Sequence, residues 1–399
     1  MKVPFRRRHA RHTVTTLRPT CITLSRSTSG ITPRSAAVTT LRSVGINILF
    51  AMALLLATQR SSAQLLRVAV AGLAHDHVHN IMHQFQNGEV IIIGIAEADS
   101  QLVARYKRSY HLPDSLFYNS LTALLQHTRP DAVLAYTPIV EHRGVVEICA
   151  PKGIPVMVEK PLATTVKDAE RIAALALKYH VQVLTNYETT WYSTNQQVNQ
   201  LVNVQQSIGE IRKMTVHDGH QGPKEIGCSA DFLNWLTDPV KNGGGALMDF
   251  GCYGANLMTW LMKGKAPMYV TAVTHHIKPT VYPNVEDDAT ILVQYPDATG
   301  IIEASWNWPY SIKDLEVFGV SGYLHALNAT KLLQRTKDSY DSIPVPAAIY
   351  QDNIKYLSDV LHGRLDPGND PSSLDNNVIV VRILDAARRS AKEGRRIIL

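Results

Sequence analysis

Residues 66–77 of the 399-residue chain read LRVAVAGLAHDH, and this stretch decides the fold. It is a valine-rich apolar run that ends at Gly72 and leads into a helix-like segment. The pattern recurs, with apolar runs at 66–71, 90–96, 132–135, 155–158 and 181–185 and helix-like segments at 79–86, 101–110, 120–126, 143–150 and 166–179. This alternation predicts a parallel sheet covered on both faces, with ligands bound beyond the carboxyl ends of its strands.

The pattern changes after about residue 190. Segments 211–218, 269–278, 289–295, 300–306 and 314–320 are predicted strands, several of them with period-two alternation. A helix over 246–262 follows Gly243, Gly244 and Gly245, and another helix is predicted over 376–393. Strands that follow a βα series predict a second, antiparallel domain, so the fold class is α/β with two domains.

The first 63 residues are predicted to be a signal peptide with a long basic leader. Residues 46–58 are almost continuously apolar, which is too short for a comfortable membrane span but typical of a signal-peptide core. Small residues follow at 61–63, so we expect cleavage after Ala63. Export to the periplasm or the cell exterior is therefore predicted, with no stable membrane span after cleavage. An organelle transit peptide and an uncleaved membrane anchor are the alternatives.

The charge of the chain is concentrated in that leader. Residues 1–63 hold ten basic and no acidic side chains, so the formal net charge of +6 becomes −4 for residues 64–399. A mildly acidic folded part lacks the excess of basic residues that is typical of nucleic-acid binding, and we expect no nucleic-acid partner. The four cysteines, at 21, 149, 228 and 252, show no metal-like spacing and are interpreted as small buried apolar residues.

The turn after the first run partly matches a dinucleotide-binding turn. Such a turn reads Gly-x-Gly-x-x-Gly, and here only Gly72 is kept, with Ala74 and His77 at the other two positions. Asp76 would place a negative charge near a pyrophosphate. Glu97 ends the second run 25 residues after Gly72, where a carboxylate can bind a ribose 2′-hydroxyl and favour NAD over NADP.

Four histidines at 75, 77, 79 and 83 raise the question of a metal site. His75, His79 and His83 would share one face if the helix began near His75. No matching carboxylate pattern accompanies them, so we predict no metal. His75 or His77 is instead expected to contact the substrate or a pyrophosphate.

A catalytic trio is predicted from two separate motifs. Lys160 stands in Glu-Lys-Pro-Leu at the end of a buried strand, where a cation is costly unless it faces a cleft. Asp249 and Tyr253 share a helix face at i, i+4 spacing. Tyr253 would accept a proton, Lys160 would lower its pKa and Asp249 would orient it. The alternative is an ordinary helix face at a domain interface.

Taken in order, these motifs resemble the Gfo/Idh/MocA oxidoreductase family, and its glucose–fructose oxidoreductase-like members in particular, over nearly all of 66–399. The resemblance implies a Rossmann domain at 64–187 and an α/β domain for substrate and oligomerisation at 188–375, with an open-faced, mostly antiparallel sheet. Residues 376–399 are expected to form a helix that packs back on the Rossmann domain. The resemblance also implies a homo-oligomer.

The resemblance assigns site residues one by one. Lys160 and Asp249 match the catalytic Lys and Asp, and Tyr253 stands where many members have His. The expected cofactor contacts are Gly72, Leu73, Ala74, His75, Glu97, Thr137, Pro138, His142, Glu159, Lys160 and Asn186. The expected substrate contacts are His220, Tyr253 and Trp191, with Trp306 and Trp308 as further stacking faces. Glu188 departs from the family, because many members have Arg nearby.

Three functions follow from the sequence. The first is hydride transfer between a sugar or cyclitol hydroxyl and a nicotinamide cofactor, which export would require to be tightly bound. The second is an NAD-dependent glycosidase that oxidises its substrate transiently and eliminates the glycosidic substituent. The third is a non-catalytic sugar binder, an interpretation that the incomplete glycine turn favours.

Overall fold

The structure is a computed structural model that describes residues 65–368 and 370–399. The leader, on which the export prediction depends, lies outside the described residues. Residues 65–399 form one compact unit. Within the described part, no helix has the length and apolar character needed to cross a membrane.

The first domain is built on a parallel sheet, as predicted, and this sheet has six strands. Its strands are β1 Arg67–Ala71, β2 Ile91–Ala96, β3 Phe117–Tyr118, β4 Ala132–Ala135, β5 Val156–Glu159 and β6 Val183–Asn186. They lie in the order β3-β2-β1-β4-β5-β6. The two residues of β3 are too few to produce a pattern in the sequence, and this strand was not predicted. The order places the ends of β1 and β4 side by side, which is where a Rossmann fold binds its ligand.

Helices cover both faces of this sheet. They are α1 Val78–Gln86, α2 Ser100–Tyr110, α3 Leu121–His127, α4 His142–Cys149 and α5 Val166–Tyr179. The start of α5 is fixed by Thr165, whose hydroxyl accepts a hydrogen bond from the amide of Asp168 at 3.1 Å. Because α1 begins only at Val78, His75 and His77 belong to the turn after β1 rather than to a helix face.

The second domain carries a nine-stranded mixed sheet. Its strands are β7 Ile211–Gly219, β8 Tyr269–His275, β9 Asp288–Gln294, β10 Thr299–Ser305, β11 Ile312–Gly319, β12 Tyr323–Ala326, β13 Leu332–Arg335, β14 Asp341–Ile343 and β15 Ile397–Ile398. The order is β14-β13-β12-β11-β7-β10-β9-β8-β15, and the β10–β7 pair is parallel whereas the others are antiparallel. The five predicted strands are confirmed. The four others are too short, at two to four residues, to show alternation.

The remaining α-helices follow the first sheet in the chain. They are α6 Ser193–Asn199, α7 Ala230–Leu236, α8 Ala246–Asp249, α9 Gly251–Leu261, α10 Asn353–Leu361 and α11 Leu374–Glu393. The single helix expected over 246–262 is divided at Phe250 into α8 and α9. Although α10 lies in the range expected for the second domain, its Ile354 and Leu357 pack in the core of the first. Helix α11 contributes Val381 to the first core and Leu384 to the second.

Candidate functional site

A buried ion pair joins the two domains at the carboxyl end of the parallel sheet. Lys160 follows β5 directly, and Asp249 is the last residue of α8 in the second domain. The Lys160 ammonium donates to the carboxylate Oδ1 of Asp249 and, at 3.1 Å, to its backbone carbonyl. The indole of Trp306 donates to the other carboxylate oxygen at 3.0 Å. The predicted partnership of Lys160 with Asp249 is therefore present in the structure.

The two members of this pair hold each other in their charged forms. Burial alone would raise the pKa of Asp249, but the charge and hydrogen bond of Lys160 outweigh burial and keep that pKa below its usual value. Burial would likewise lower the pKa of Lys160, and Asp249 reverses this so that the pKa is raised. Lys160 is consequently a fixed positive charge and a hydrogen-bond donor at neutral pH.

The role predicted for Tyr253 needs correction. The Lys160 ammonium lies 5.2 Å from the centroid of the Tyr253 ring, so it faces the ring and not the hydroxyl. Burial, followed by the negative charges of Glu188 and Asp218, raises the pKa of Tyr253 far above its usual value. A tyrosine in this setting remains protonated at neutral pH. Tyr253 can donate a hydrogen bond, but it is not the base that the sequence indicated.

His220 lies on the second-domain side of this site. Its ring meets Phe250 edge-on at 4.8 Å, and its Nδ1 accepts a hydrogen bond from the amide of Gly222 at 2.9 Å. Burial lowers the pKa of His220, so the ring is neutral and carries its proton on Nε2. His220 therefore offers a hydrogen-bond donor, in keeping with a substrate contact.

The three tryptophans predicted to contact the substrate, Trp191, Trp306 and Trp308, occupy different environments. Trp306 is fully buried, and its indole is committed to Asp249, so it positions the carboxylate and is not the sugar-stacking face suggested by the sequence. Trp308 packs over Gly219 and edge-on against His217. Trp191 lines a large cavity, so part of its surface is available to a ligand.

The predicted adenosine site is a cavity of about 540 Å³ beside β1 and β2. Gly72, Ala74, Glu97, Thr137 and Pro138 all line it. Glu97 accepts a hydrogen bond from the amide of Leu73 at 2.9 Å, which fixes the carboxylate at the turn. Gly72 has φ +82°, and a Cβ there would lie 2.7 Å from the Thr137 methyl group, so only glycine fits. These features fit the adenosine half of a dinucleotide.

The phosphate-binding turn itself is covered by α7. The indole of Trp235 donates to the carbonyl of Ala74 at 3.1 Å, and the amide and hydroxyl of Ser229 donate to the Asp76 carboxylate at 2.9 and 2.6 Å. His75 is completely buried against Trp235. The charge of Asp76 is thus satisfied by Ser229, and these contacts tie the start of α7 to the turn.

His142 lies in the interior instead of lining the cofactor cavity. It is completely buried, and its Nδ1 donates to the carbonyl of Leu162 at 3.2 Å. Burial lowers the pKa of His142 to about 4, so the ring is neutral. Its contact holds the turn that follows Lys160, which makes His142 a supporting residue and corrects its predicted role at the cofactor.

A second large cavity lies on the other side of the turn. We call it the His77 cavity; it has a volume of about 580 Å³, and its lining includes His77, Asn186, Glu188, Trp191 and Tyr192. Behind this wall, the Glu159 carboxylate is bonded to His77 Nδ1 at 2.9 Å and to the Asn186 amide nitrogen at 2.8 Å. Glu159 and Asn186 therefore form a connected polar wall with His77.

One group of side chains has the spacing of a metal site. His75, His77 and Glu159 each offer a ligand atom within 4.8 Å of the others. However, His75 Nδ1 accepts from the His77 amide at 3.1 Å, and His77 Nδ1 is bonded to Glu159. Nδ1 of each histidine is therefore engaged within the group, whereas the buried Nε2 of His75 has no hydrogen-bond partner among the described residues. The two remaining histidines, His79 and His83, lie apart against Tyr110.

The sequence did not predict a second charged cluster near Tyr253. Lys313 forms an ion pair with Glu188 and lies 4.8 Å from the centroid of the Tyr253 ring. Asp218 is buried and stands opposite Lys313 in the β7–β11 pair. The sequence contains a sign of this cluster, since Asp218 continues the core-facing series of Met214 and Val216 and so places a carboxyl group where an apolar residue is expected.

Comparisons with known proteins identify relatives of both domains. The trans-1,2-dihydrobenzene-1,2-diol dehydrogenase of Xenopus tropicalis is 25% identical over 186 residues, which are 45% of this chain and 51% of that enzyme. The chain thus spans about half the length of that relative. The enzyme of the same name from Sus scrofa is 20% identical over 288 residues, covering 70% of this chain and 80% of its own.

Solved structures share the fold. The aldose-aldose oxidoreductase of Caulobacter crescentus, complexed with glycerol, matches with a TM-score of 0.70 and 23% identity, over 84% of this chain and all of its own. An inositol dehydrogenase homologue from Azotobacter vinelandii, complexed with NAD+, matches with a TM-score of 0.71 and 18% identity, over 84% of this chain and 98% of its own.

Family models cover both domains. The model described as "Oxidoreductase family, NAD-binding Rossmann fold" matches residues 66–187, and the model described as "GFO/IDH/MocA C-terminal domain" matches residues 195–325. The two matches together cover more than half of the chain, and the protein therefore belongs to the Gfo/Idh/MocA family of oxidoreductases.

Proposed function

We propose that this protein transfers hydride between a CH–OH group of a sugar or cyclitol and a nicotinamide cofactor, with NAD preferred to NADP. The observation that carries the proposal is the buried Lys160–Asp249 pair, which stands where the end of the parallel sheet meets the second domain. A buried charge pair adds little to the stability of a fold, so its presence at this position points to a role in the reaction.

The chain supplies binding and charge, and a bound nicotinamide would supply the hydride chemistry. Lys160 places a positive charge where it can stabilise the oxygen of an alkoxide, and Asp249 holds that ammonium in position. Tyr253 and His220 add hydrogen-bond donors for neighbouring hydroxyls. Gly72, Glu97 and Thr137 would hold the adenosine half of the cofactor.

The first test is the identity of any molecule bound to the purified full-length protein. Denaturing release followed by mass analysis should yield a nicotinamide dinucleotide in stoichiometric amount, because α7 closes over the turn and would retain it. A protein that is empty after purification and fails to bind added NAD or NADP contradicts the proposal. That outcome would favour the non-catalytic sugar binder. Release of an aglycone without net NADH formation would favour the glycosidase.

Glu97 should decide the choice between NAD and NADP. Its carboxylate lines the adenosine cavity and would repel a 2′-phosphate. We expect Glu97→Ser to raise the affinity for NADP relative to NAD by about tenfold or more, which corresponds to about 1.4 kcal/mol. Calorimetric titration of both cofactors measures the ratio. An unchanged ratio would place the ribose away from Glu97.

Asp76 should control the residence time of the cofactor. Its carboxylate accepts two hydrogen bonds from Ser229 and so holds α7 on the turn. We expect Asp76→Ala to speed cofactor dissociation about tenfold, since hydrogen bonds to a charged group are worth a few kcal/mol at most. Stopped-flow displacement measures the rate. Asp114→Ala, which removes only an exposed partner of Lys107, is the control and should leave the rate unchanged.

We also propose that the protein is exported, with residues 1–63 removed. Its substrates would then be extracellular sugars or glycosides, and a retained cofactor would have to be regenerated in place. Amino-terminal sequencing of the protein recovered from the periplasm or medium should begin near Gln64. A start upstream of 46–58 would support an anchored protein, and recovery from an organelle would support the transit peptide.

We further propose that the protein forms a homo-oligomer through the open face of the second sheet. That face exposes apolar side chains on three strands, among them Val273, Leu292 and Phe318. Light scattering on the purified protein should give a multiple of the monomer mass, and Leu292→Glu should reduce it. A monomeric wild-type protein contradicts this part of the proposal.

A further inference from the structure

We propose that His77, oriented by Glu159, is the proton acceptor for the substrate hydroxyl, and that the substrate extends into the His77 cavity. This inference rests on the proposed oxidoreductase function, which it deepens by naming the base. It also gives a role to the histidine that replaces the third glycine of the turn.

The hydrogen bonds of His77 determine which ring nitrogen is free. Glu159 is ionised because, although burial raises its pKa, the contacts with His77 and Asn186 outweigh burial and lower it. An ionised carboxylate only accepts, so His77 must carry its proton on Nδ1, which lies 2.9 Å from the Glu159 oxygen. The lone pair of a neutral His77 is therefore on Nε2.

A chain of hydrogen bonds holds Glu159 in place behind His77. The indole of Trp191 donates to the Asn186 carbonyl oxygen at 3.2 Å, and the Asn186 amide donates to the second oxygen of Glu159 at 2.8 Å. In each of these hydrogen bonds an N–H group donates and an oxygen accepts, so the series from Trp191 to Glu159 is chemically consistent. A buried carboxylate that fixes the tautomer of a histidine and stabilises its protonated form is the arrangement used by hydrolytic triads.

His77 lines a cavity of suitable size and polarity. The His77 side chain is 37% exposed, and its ring lines the His77 cavity of about 580 Å³. Amide side chains of Asn80, Gln84 and Asn353 line the same cavity, and each can donate a hydrogen bond to a hydroxyl group or accept one from it. The titratable and charged groups around His77 are His75, His83, Glu89, Glu159, Lys160, Glu188 with its partner Lys313, and Asp352.

The other groups of the site are poorly suited to accept a proton. Lys160 and Tyr253 both remain protonated at neutral pH, since their pKa values are raised. His220 uses its Nδ1 lone pair on the Gly222 amide. In the oxidation, the hydroxyl proton would pass to His77 Nε2 as the C=O bond forms, and a bound nicotinamide would accept the hydride from the same carbon. Glu159 then stabilises the imidazolium, and reduction reverses each transfer.

The experiment combines base removal with chemical rescue. NADH formation is followed with a fixed panel of glucose, xylose, methyl glucoside and myo-inositol, and the best substrate is used throughout. We expect His77→Ala to lower kcat by about 10²–10⁴-fold, with cofactor content unchanged, and added imidazole to restore part of the loss. The acidic limb of the pH–rate profile should disappear. His79→Ala, which removes an exposed histidine two residues away, should leave kcat and the profile unchanged.

Glu159→Gln tests the positioning role. Glutamine keeps the size of the side chain but removes the charge that favours the imidazolium. We expect a smaller loss of kcat than in His77→Ala and a shift of the acidic limb to lower pH. A merely structural role of Glu159 would change stability without moving the pH profile.

A spectroscopic measurement separates failure of this inference from failure of the proposed function. Histidine ¹⁵N spectra of the wild-type protein should show His77 with the proton on Nδ1, whether or not any substrate turns over. The opposite tautomer would overturn the inference, as would retention of kcat in His77→Ala. Added Zn²⁺ that shifts the signals of both His75 and His77 would overturn it in favour of a metal site. Failure to bind any nicotinamide dinucleotide would overturn the proposed function, and the role of His77 as a base with it, even if the tautomer is the expected one.

Discussion

Replacing Lys160 with methionine should lower kcat/KM by about 10³-fold, which is the scale of losing a charged donor at a developing oxyanion. Methionine keeps the length of the side chain but removes the ammonium that meets Asp249 and faces the Tyr253 ring. Steady-state kinetics with the best sugar or cyclitol and saturating cofactor measure the loss. A smaller effect on cofactor affinity is expected, because the adenosine cavity lies apart from Lys160.

The same substitution should also destabilise the fold. It leaves the Asp249 carboxylate buried without its cation, and breaking a buried pair in this way costs about 3–5 kcal/mol. The control is the double variant Lys160→Met with Asp249→Asn, in which no charge is left unpaired. Denaturant unfolding should show that the double variant recovers much of the stability while its turnover stays low. Recovered turnover in the double variant would contradict a catalytic role for Lys160.

The pH dependence of stability gives a second readout of this pair. The pKa of Asp249 is lowered in the fold, so its contribution is present above its usual value of 3.8 and is lost as pH falls through the folded pKa. The pKa of Lys160 is raised, so its contribution is present below 10.5 and is lost as pH rises through the folded pKa. The double variant should lack both contributions.

Gly245→Ala should be among the most damaging single substitutions in the chain. Gly245 directly precedes α8, and a Cβ at this position would overlap the backbone carbonyl oxygen of Glu286. That carbonyl accepts the amide of Ala246, so the backbone cannot yield without releasing the start of α8. We expect a loss of at least about 3 kcal/mol of unfolding free energy. Because α8 carries Asp249, turnover should fall as well.

The matched control for that variant is Gly144→Ala. Gly144 lies within α4, and a Cβ there meets no atom within 4 Å. The substitution should be neutral or stabilise the helix by up to about 1 kcal/mol. Thermal and denaturant unfolding compare the two variants. Equal stability of Gly245→Ala and Gly144→Ala would show that the glycines before α8 are not required for close packing.

Much of the fold was predictable because the buried parallel strands are continuous apolar runs with clear ends. The turn after β1 and the helix start at Thr165 carry direct local signals. No local signal in the sequence indicates where α10 packs, since the pattern of an amphipathic helix shows which face is buried but not which domain covers it. The hairpins after β11 were missed because their strands are too short for alternation to be visible.

The site was predictable where a charged residue ends a buried strand. Lys160 and Glu97 were identified by that rule, and Asp249 by its place after the glycines. Lys313 was missed because it meets Asp218 only through the register of two strands that lie far apart in sequence. The predicted role of Tyr253 was wrong because a pKa depends on burial and on charges such as Glu188, which spacing alone does not reveal.

The packing of α10 and α11 has a consequence for how this protein can be divided. The strands of the first sheet all lie between Arg67 and Asn186, which suggests a module that could be exchanged between relatives. Its core is nevertheless completed by Ile354 and Leu357 of α10 and by Val381 of α11. A chimera joined after β6 would pair one parent's sheet with the other's covering helices. The smallest unit that could be exchanged between relatives without dividing this core therefore runs from β1 to α11.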